Sequence, residues 1–100
     1  LVVAEISLSN GWNGYAHIEN LVVAQEFRRQ GLARELVEQA VAWAESRNLA
    51  GVMLETQSNN VPACQLYESC GFSLKGFDSS LYRGLDGHSQ EVALFWYRQA

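Results

Sequence analysis

Apolar residues crowd Leu1 to Leu8, give way to Asn10-Gly11-Trp12-Asn13-Gly14, and crowd again from Tyr15 to Ala24. Two Asn/Gly turn signals between strand-like runs predict a β-hairpin. Strict alternation along its second strand puts His17, Glu19 and Leu21 on one face, and Ile18, Asn20 and Val22 on the other. From Gly31 the spacing lengthens. Leu32, Leu36, Val37, Ala40, Trp43 and Ala44 share a helical stripe, with Arg34, Glu35, Glu38, Gln39 and Glu45 mostly opposite, which predicts an amphipathic helix to about Arg47. Asn48 and Gly51 are expected to close it. Val52 to Thr56 then reads as a strand, and strand-helix-strand order suggests a parallel crossover.

Asn59 or Asn60 fits the cap of a second helix, about Val61 to Cys70, with Pro62 in its first turn and Gly71 at its end. Ala63, Leu66 and Tyr67 are expected on its sheet side. Strands follow at Phe72 to Phe77 and Glu91 to Tyr97, separated by a polar loop over Gly84 to Gln90. In the last strand Val92, Leu94 and Trp96 alternate with Ala93, Phe95 and Tyr97. The fold class expected is mixed α/β (α+β), in one domain over residues 1–100.

The chemistry concentrates where the first helix begins. Arg28-Arg29-Gln30-Gly31-Leu32-Ala33 joins a strand end to a helix start. The first-turn amides of a helix have no intrahelical partner and sit at the positive end of its dipole, so small residues and two arginines there suit a phosphate. A loop with two solvated arginines and a turn glycine is the competing reading. Neither GxGxxG nor GxxxxGK[ST] occurs, so neither a dinucleotide fold nor a P-loop is indicated.

Composition narrows the partners. The chain has 100 residues, 48% of them hydrophobic, and a net charge of −4, which fits one globular domain and argues against disorder and nucleic-acid binding. That charge suits a cationic small molecule or peptide. No apolar run approaches the ~20 residues of a membrane-spanning helix. Cys64 and Cys70 form no CxxC pair and have no flanking His, so two reduced thiols and no metal are expected. The opening Leu-Val-Val-Ala-Glu-Ile carries no methionine and no leader pattern. The expectations are a cytoplasmic protein and a natural beginning further upstream.

Taken together, Arg28-x-x-Gly31-x-Ala33 and Asn60-x-x-Ala63-x-x-x-Tyr67-x-x-x-Gly71-Phe72 resemble, in order and spacing, the signature of the GNAT superfamily of acetyl-CoA-dependent N-acetyltransferases. Leu54-Glu55-Thr56-Gln57, Asn59 to Cys64 and Ala93 to Tyr97 are similar to the streptothricin acetyltransferases, antibiotic-resistance enzymes that acetylate an amine of streptothricin. The resemblance runs from about Leu1 to Tyr97. It implies a mostly antiparallel sheet with a central parallel strand–helix–strand unit, and an N-terminal part of the fold that is missing here.

It also implies roles. Amides from Arg29, Gln30, Gly31, Leu32 and Ala33 would hold the pyrophosphate of acetyl-CoA, with Arg28 adding charge at the rim, and main-chain groups of Leu21 and Val23 would hold its arm. A splayed strand would free an amide near Val22 or Val23 for the thioester oxygen, a donor worth ~3–4 kcal/mol in such sites. Ordinary burial is the plain reading of that stretch. Tyr67 falls on the general-acid position; thiols near ~8.5 and phenols near ~10 make its proton transfer close to balanced. Asn60 would orient the pantetheine or act as a plain helix cap. A lysine-like amine is almost wholly ammonium at neutral pH, so a base is needed. Glu19 is the favoured one and His17 the second, each with a surface role as its alternative. Glu55 and Asp78 are candidates for the cationic substrate.

The leading expectation is therefore direct acetyl transfer to streptothricin. A peptide or protein N-acetyltransferase and a non-catalytic acyl-CoA-binding or dimerisation module are the alternatives. An acyl-cysteine route has no His to support it. An open apolar edge at Leu1 to Leu8, with Phe95, Trp96 and Tyr97 as interface area, leads to the expectation of a homodimer.

Overall fold

In the computed structural model, residues 3–85, 87 and 89–100 are described, and the chain groups into two compact units, Leu1–Met53 with Arg98–Ala100 and Leu54–Tyr97. Chain order is β1 (Ala4–Asn10), β2 (Ala16–Val23), α1 (Leu32–Ser46), β3 (Gly51–Gln57), α2 (Val61–Ser69), β4 (Ser73–Asp78) and β5 (Ala93–Gln99). Short 3-10 turns lie at Gln25–Phe27 and Leu81–Gly84. The sheet has five strands in the order β1-β2-β3-β5-β4. β1 and β2 pair antiparallel, as do β4 and β5, while β2 and β3 are parallel. The expected central parallel crossover in a mixed sheet is present.

In the first unit, the hairpin turn is closed by the Gly11 amide on the Tyr15 carbonyl at 2.8 Å, with Gly14 left-handed at φ 79. Its strands do not alternate as the sequence suggested. Ser7 faces Asn20 but Leu8 faces Ile18, so Glu19 is an extra residue, a β-bulge. Beyond it the two faces exchange: Ile18, Leu21 and Val23 lie opposite Leu8, Ile6 and Ala4, while His17, Asn20 and Val22 lie opposite Ser9, Ser7 and Glu5. Leu21 therefore does not share a face with His17. The apolar face packs on α1, whose buried residues are Val37, Ala40, Val41 and Ala44. Burying one such valine contributes about 1.5–3 kcal/mol. Val41 is absent from the stripe read off the sequence.

Helix α1 ends in a Schellman motif. Asn48 is left-handed at φ 58, its amide reaches the Glu45 carbonyl at 3.1 Å, and Leu49 reaches Ala44 at 2.9 Å. Arg47 stacks over Trp43 at 4.5 Å. Gly51 belongs to β3 rather than to this stop, and its lack of a side chain has another cause: a Cβ there would stand 2.1 Å from the Arg98 carbonyl oxygen. Arg98 in turn grips Glu38 of α1 with two bonds of 2.8 and 3.1 Å.

The second unit is built around Leu54, Thr56, Tyr67, Cys70, Phe72, Ala93 and Trp96, all buried. Its one buried polar side chain among the described residues, Thr56, is satisfied: its hydroxyl accepts from the Trp96 indole at 3.0 Å and lies 3.5 Å from the Cys64 sulfur. Ala93 and Trp96 are both buried although three positions apart. β5 is an interior strand covered on both faces, and Lys75 forms a second bulge opposite it. Trp96 is thus core, not interface area, and Phe95 and Tyr97 are only half-exposed. Of the expected sheet side of α2, Tyr67 is buried, with Ala63 and Leu66 half-buried. The loop expected over 84–90 begins as the Leu81–Gly84 turn, and Asp86 and His88 lie outside the described residues, as do Leu1 and Val2 of the first run.

Gly51→Ala is expected to destabilise the protein by ~2 kcal/mol or more, because the neighbour its methyl meets is backbone and cannot swing away. Urea unfolding measures it; an unchanged midpoint would show that the strand ends yield.

Candidate active site

The loop before α1 has an uncommon backbone. Arg29 is left-handed at φ 65 and Gly31 at φ 77, two such residues within three positions. For arginine this costs on the order of 1–3 kcal/mol and persists only where surroundings impose it. A Cβ on Gly31 would meet nothing within 4 Å, so glycine is required there by the dihedral rather than by crowding. Gly31 is also the N-cap of α1, and no side chain caps that end; the first internal bond is the Glu35 amide on the Gly31 carbonyl at 3.0 Å. First-turn amides thus face outward at the positive end of the dipole. Arg28 is exposed but not wholly uncommitted: its Nε donates to the Val23 carbonyl at 3.1 Å, tying the loop to the end of β2.

Strand β2 keeps its parallel partner only at Ala16↔Val52 and His17↔Met53. Leu21, Val22 and Val23 lie beyond that pairing, with the Val23 carbonyl already accepting from Arg28. On the polar face, Ser9 lies opposite His17 and its hydroxyl donates to Glu19 Oε1 at 2.5 Å. The two candidate bases are thereby gathered around one serine. Glu19 is exposed. His17 is half-buried, its Nε2 3.0 Å from Asn13 Oδ1, and its ring lies where a Gly11 side chain would be, 2.0 Å from a Cβ built there.

In the second unit Tyr67 is 7% exposed and occupies the C3 position of another Schellman end. The Phe72 amide reaches its carbonyl at 3.0 Å and the two rings meet edge to face at 5.6 Å. Left-handed Gly71, φ 87, makes that turn. No hydrogen bond reaches the Tyr67 hydroxyl among the described residues, yet no buried polar side-chain atom lacks a partner, so the hydroxyl meets the surface. Burial first, and the neighbouring Cys70 second, push its pKa up to about 12. The near-balance with a thiol read from the sequence is corrected accordingly. Tyr67 holds its proton throughout the working range and is a hydrogen-bond donor more than a ready acid.

The remaining candidates are placed by local bonds. Asn60 caps α2, its Oδ1 accepting from the Ala63 amide at 3.2 Å, which leaves its NH2 for a ligand. Glu55 is exposed and accepts from the Tyr82 hydroxyl. Tyr82 is itself raised to about 12 by desolvation and then by that carboxylate. Asp78 accepts from the Ser80 amide at 2.9 Å, an Asx turn. Glu55 and Asp78 each have their own partner, Tyr82 and the Ser80 amide, and are not bonded to each other. Cys64 and Cys70 are not joined in a disulfide; the first is half-buried and the second buried. No group of three potential metal ligands exists among the described residues, and no helix there is long and apolar enough to cross a membrane.

Sequence reasoning missed Ser9, Asn13 and Tyr82. Asn13 reads as a turn former, and nothing local distinguishes that from a side chain serving a histidine four positions on. The bulge left a signal: Ala16, Ile18, Leu21 and Val23 keep a period of two only if one residue between Ile18 and Leu21 is set aside.

Residues 2–72 match the acetyltransferase (GNAT) family, and the chain belongs to that family. It is 48% identical over 96 residues to streptothricin acetyltransferase of Escherichia coli, covering 96% of this chain and 55% of that protein. With streptothricin acetyltransferase A of Bacillus subtilis (strain 168) the identity is 37%, over 95% of this chain and 54% of the relative. A crystal structure of a Bacillus anthracis protein assigned to the streptothricin acetyltransferases, in complex with acetyl coenzyme A, superposes with a TM-score of 0.96 at 45% identity, covering 99% and 57% of the two chains. The chain spans about half the length of the relatives it matches.

The raised Tyr67 value has a testable sign. Between the ordinary tyrosine pKa of ~10 and about 12, the unfolded chain loses this proton while the folded one keeps it, so stability falls as pH rises through that window. Tyr67→Phe should flatten the fall measured by denaturant titration between pH ~9 and ~12. An unchanged slope would mean that Tyr67 titrates normally.

Proposed function

We propose that this chain carries the catalytic core of an acetyl-CoA-dependent N-acetyltransferase whose acceptor is an amine of streptothricin. The observation that carries the reading is the loop from Arg28 to Ala33, where two left-handed residues lead into a helix start that no side chain caps. Strain of that kind concentrates at ligand clamps. The relatives named as streptothricin acetyltransferases and the B. anthracis complex with acetyl coenzyme A support both the cosubstrate and the acceptor.

In this reading the pyrophosphate takes the amides from Arg29 to Ala33 with Arg28 at the rim, and the pantetheine follows Leu21 to Val23 and the Asn60 amide. A base on the polar face of β2 removes a proton from the ammonium, Glu19 in the first place and His17 beside it. The neutral amine attacks the thioester carbonyl carbon, and an amide near Val22 or Val23 steadies the oxyanion. The C–S bond breaks, and the sulfur takes its proton through the Tyr67 hydroxyl. Ammonium and thioester become amide, free thiol and one proton released to solvent. Glu55 and Asp78 attract the cationic acceptor, in a cytoplasmic protein that uses no metal. Two copies are expected to pair through the terminal strands, where β1 and β4 leave edges and Phe77 is 72% exposed. Light scattering that finds a monomer at micromolar concentration would remove that last element.

Incubation with acetyl-CoA and streptothricin, followed by mass spectrometry, tests the function: one added acetyl group is expected. CoA binding without turnover would make the chain a binding module, and acetylation of peptides instead would move the acceptor. Gly31→Val should weaken CoA binding about tenfold or more, since a β-branched residue resists φ 77 and walls off the amides. Unchanged affinity by calorimetry would sink the cradle. Tyr67→Phe should lower kcat with little change in the KM for acetyl-CoA, as fits a contact made when the thiolate leaves.

A further inference from the structure

The hairpin turn and the first residues of β2 hold His17 in a way that the reading above leaves unexplained. Tyr15 donates its backbone N–H to Asn13 Oδ1 at 3.3 Å, and a backbone amide can only donate, so the atom it faces is the carboxamide oxygen. That fixes which way the Asn13 amide points. Its other end agrees, since Nδ2 donates to the Met53 sulfur at 3.2 Å. The same oxygen lies 3.0 Å from His17 Nε2 and has no proton to offer. Nε2 must therefore carry the hydrogen, and in neutral His17 the lone pair belongs to Nδ1.

Two further observations show that the ring is held rather than merely touched. A Cβ on Gly11 would fall 2.0, 2.3 and 2.8 Å from Nε2, Cδ2 and Cε1, so the imidazole occupies the space that glycine vacates. The His17 backbone is pinned on both sides, paired with Ser9 and with Met53. Nδ1 has no hydrogen-bond partner among the described residues, and no polar atom of a half-buried side chain is both sealed and unpartnered, so Nδ1 meets solvent.

We infer that Asn13 is a positioning residue: it locks His17 as the Nε2–H tautomer, so that Nδ1 is the nitrogen that accepts a proton in the amine relay. This rests on the proposed acetyl transfer. When Glu19 takes the ammonium proton and passes it on, directly or through a water, it arrives on Nδ1, the imidazolium then carries hydrogens on both nitrogens, and Asn13 Oδ1 keeps its bond throughout. An asparagine suits this task because it holds the ring without adding charge.

The test has a spectroscopic arm and a kinetic arm. In the His88→Gln background only His17 reports, and a long-range proton–nitrogen spectrum at about pH 8, where an ordinary imidazole is neutral, should show the Nε2–H pattern. Adding Asn13→Ala should turn it into a mixture of tautomers. An Nδ1–H pattern, or one that Asn13→Ala leaves unaltered, overturns the inference whether or not the chain has activity. For turnover, His17→Gln should lower kcat ~100-fold and Asn13→Ala roughly tenfold, while Asn13→Asp, which keeps the acceptor oxygen, should restore most of it. Full activity in Asn13→Ala, or no recovery in a folded Asn13→Asp, refutes the positioning role. If the unmodified chain acetylates nothing, the proposed function falls, and the tautomer result alone decides the role of Asn13.

Discussion

One extra residue in β2 governs the arrangement of the first unit. A strand that kept strict alternation from Ala16 would turn Leu21 and Val23 away from the face that Ile18 shares with Leu8. Setting Glu19 aside as a bulge keeps Ala16, Ile18, Leu21 and Val23 in one apolar row against α1. The same step leaves His17, Glu19 and Asn20 together outside it. The core and the candidate bases are thus two products of one insertion. Removing Glu19 would not merely cost a carboxylate; it would reassign a face.

Much of the scaffold was legible because it rests on local rules. The hairpin turn, the amphipathic period of α1, the Asn60 cap and the glycine stop at Gly71 each depend on residues within a few positions of one another, and each is found where the sequence placed it. What could not be read depends on partners distant in sequence. Gly51 looks like a helix stop until Arg98 is laid against it. Trp96 looks like interface area until β5 is found between β3 and β4, with its indole on Thr56. The Tyr67 acidity was misjudged for the same reason, since burial is a property of the packed molecule and not of the motif.

Within the site, identity was legible and orientation was not. The cluster of Arg28, Gly31 and Ala33 announces an anion loop, but only the backbone shows that Arg29 shares the left-handed burden with Gly31. His17 and Glu19 are visible as titratable residues near one another. Their anchors, Asn13 and Ser9, are ordinary polar residues with no sequence signal of their own. Side chains that carry chemistry are few and recognisable, whereas those that aim them are common and silent.

The first unit is not contiguous: Arg98–Ala100 return to it after the whole of Leu54–Tyr97 has intervened. Arg98 clasps Glu38, and Ala100 donates to the Ala50 carbonyl at 3.0 Å. During synthesis the hairpin and α1 emerge before the second unit, yet the segment that fastens them emerges after it. The second unit has therefore been synthesised before the first is closed, and the hairpin must wait, partly fastened, for residues translated after the whole of Leu54–Tyr97.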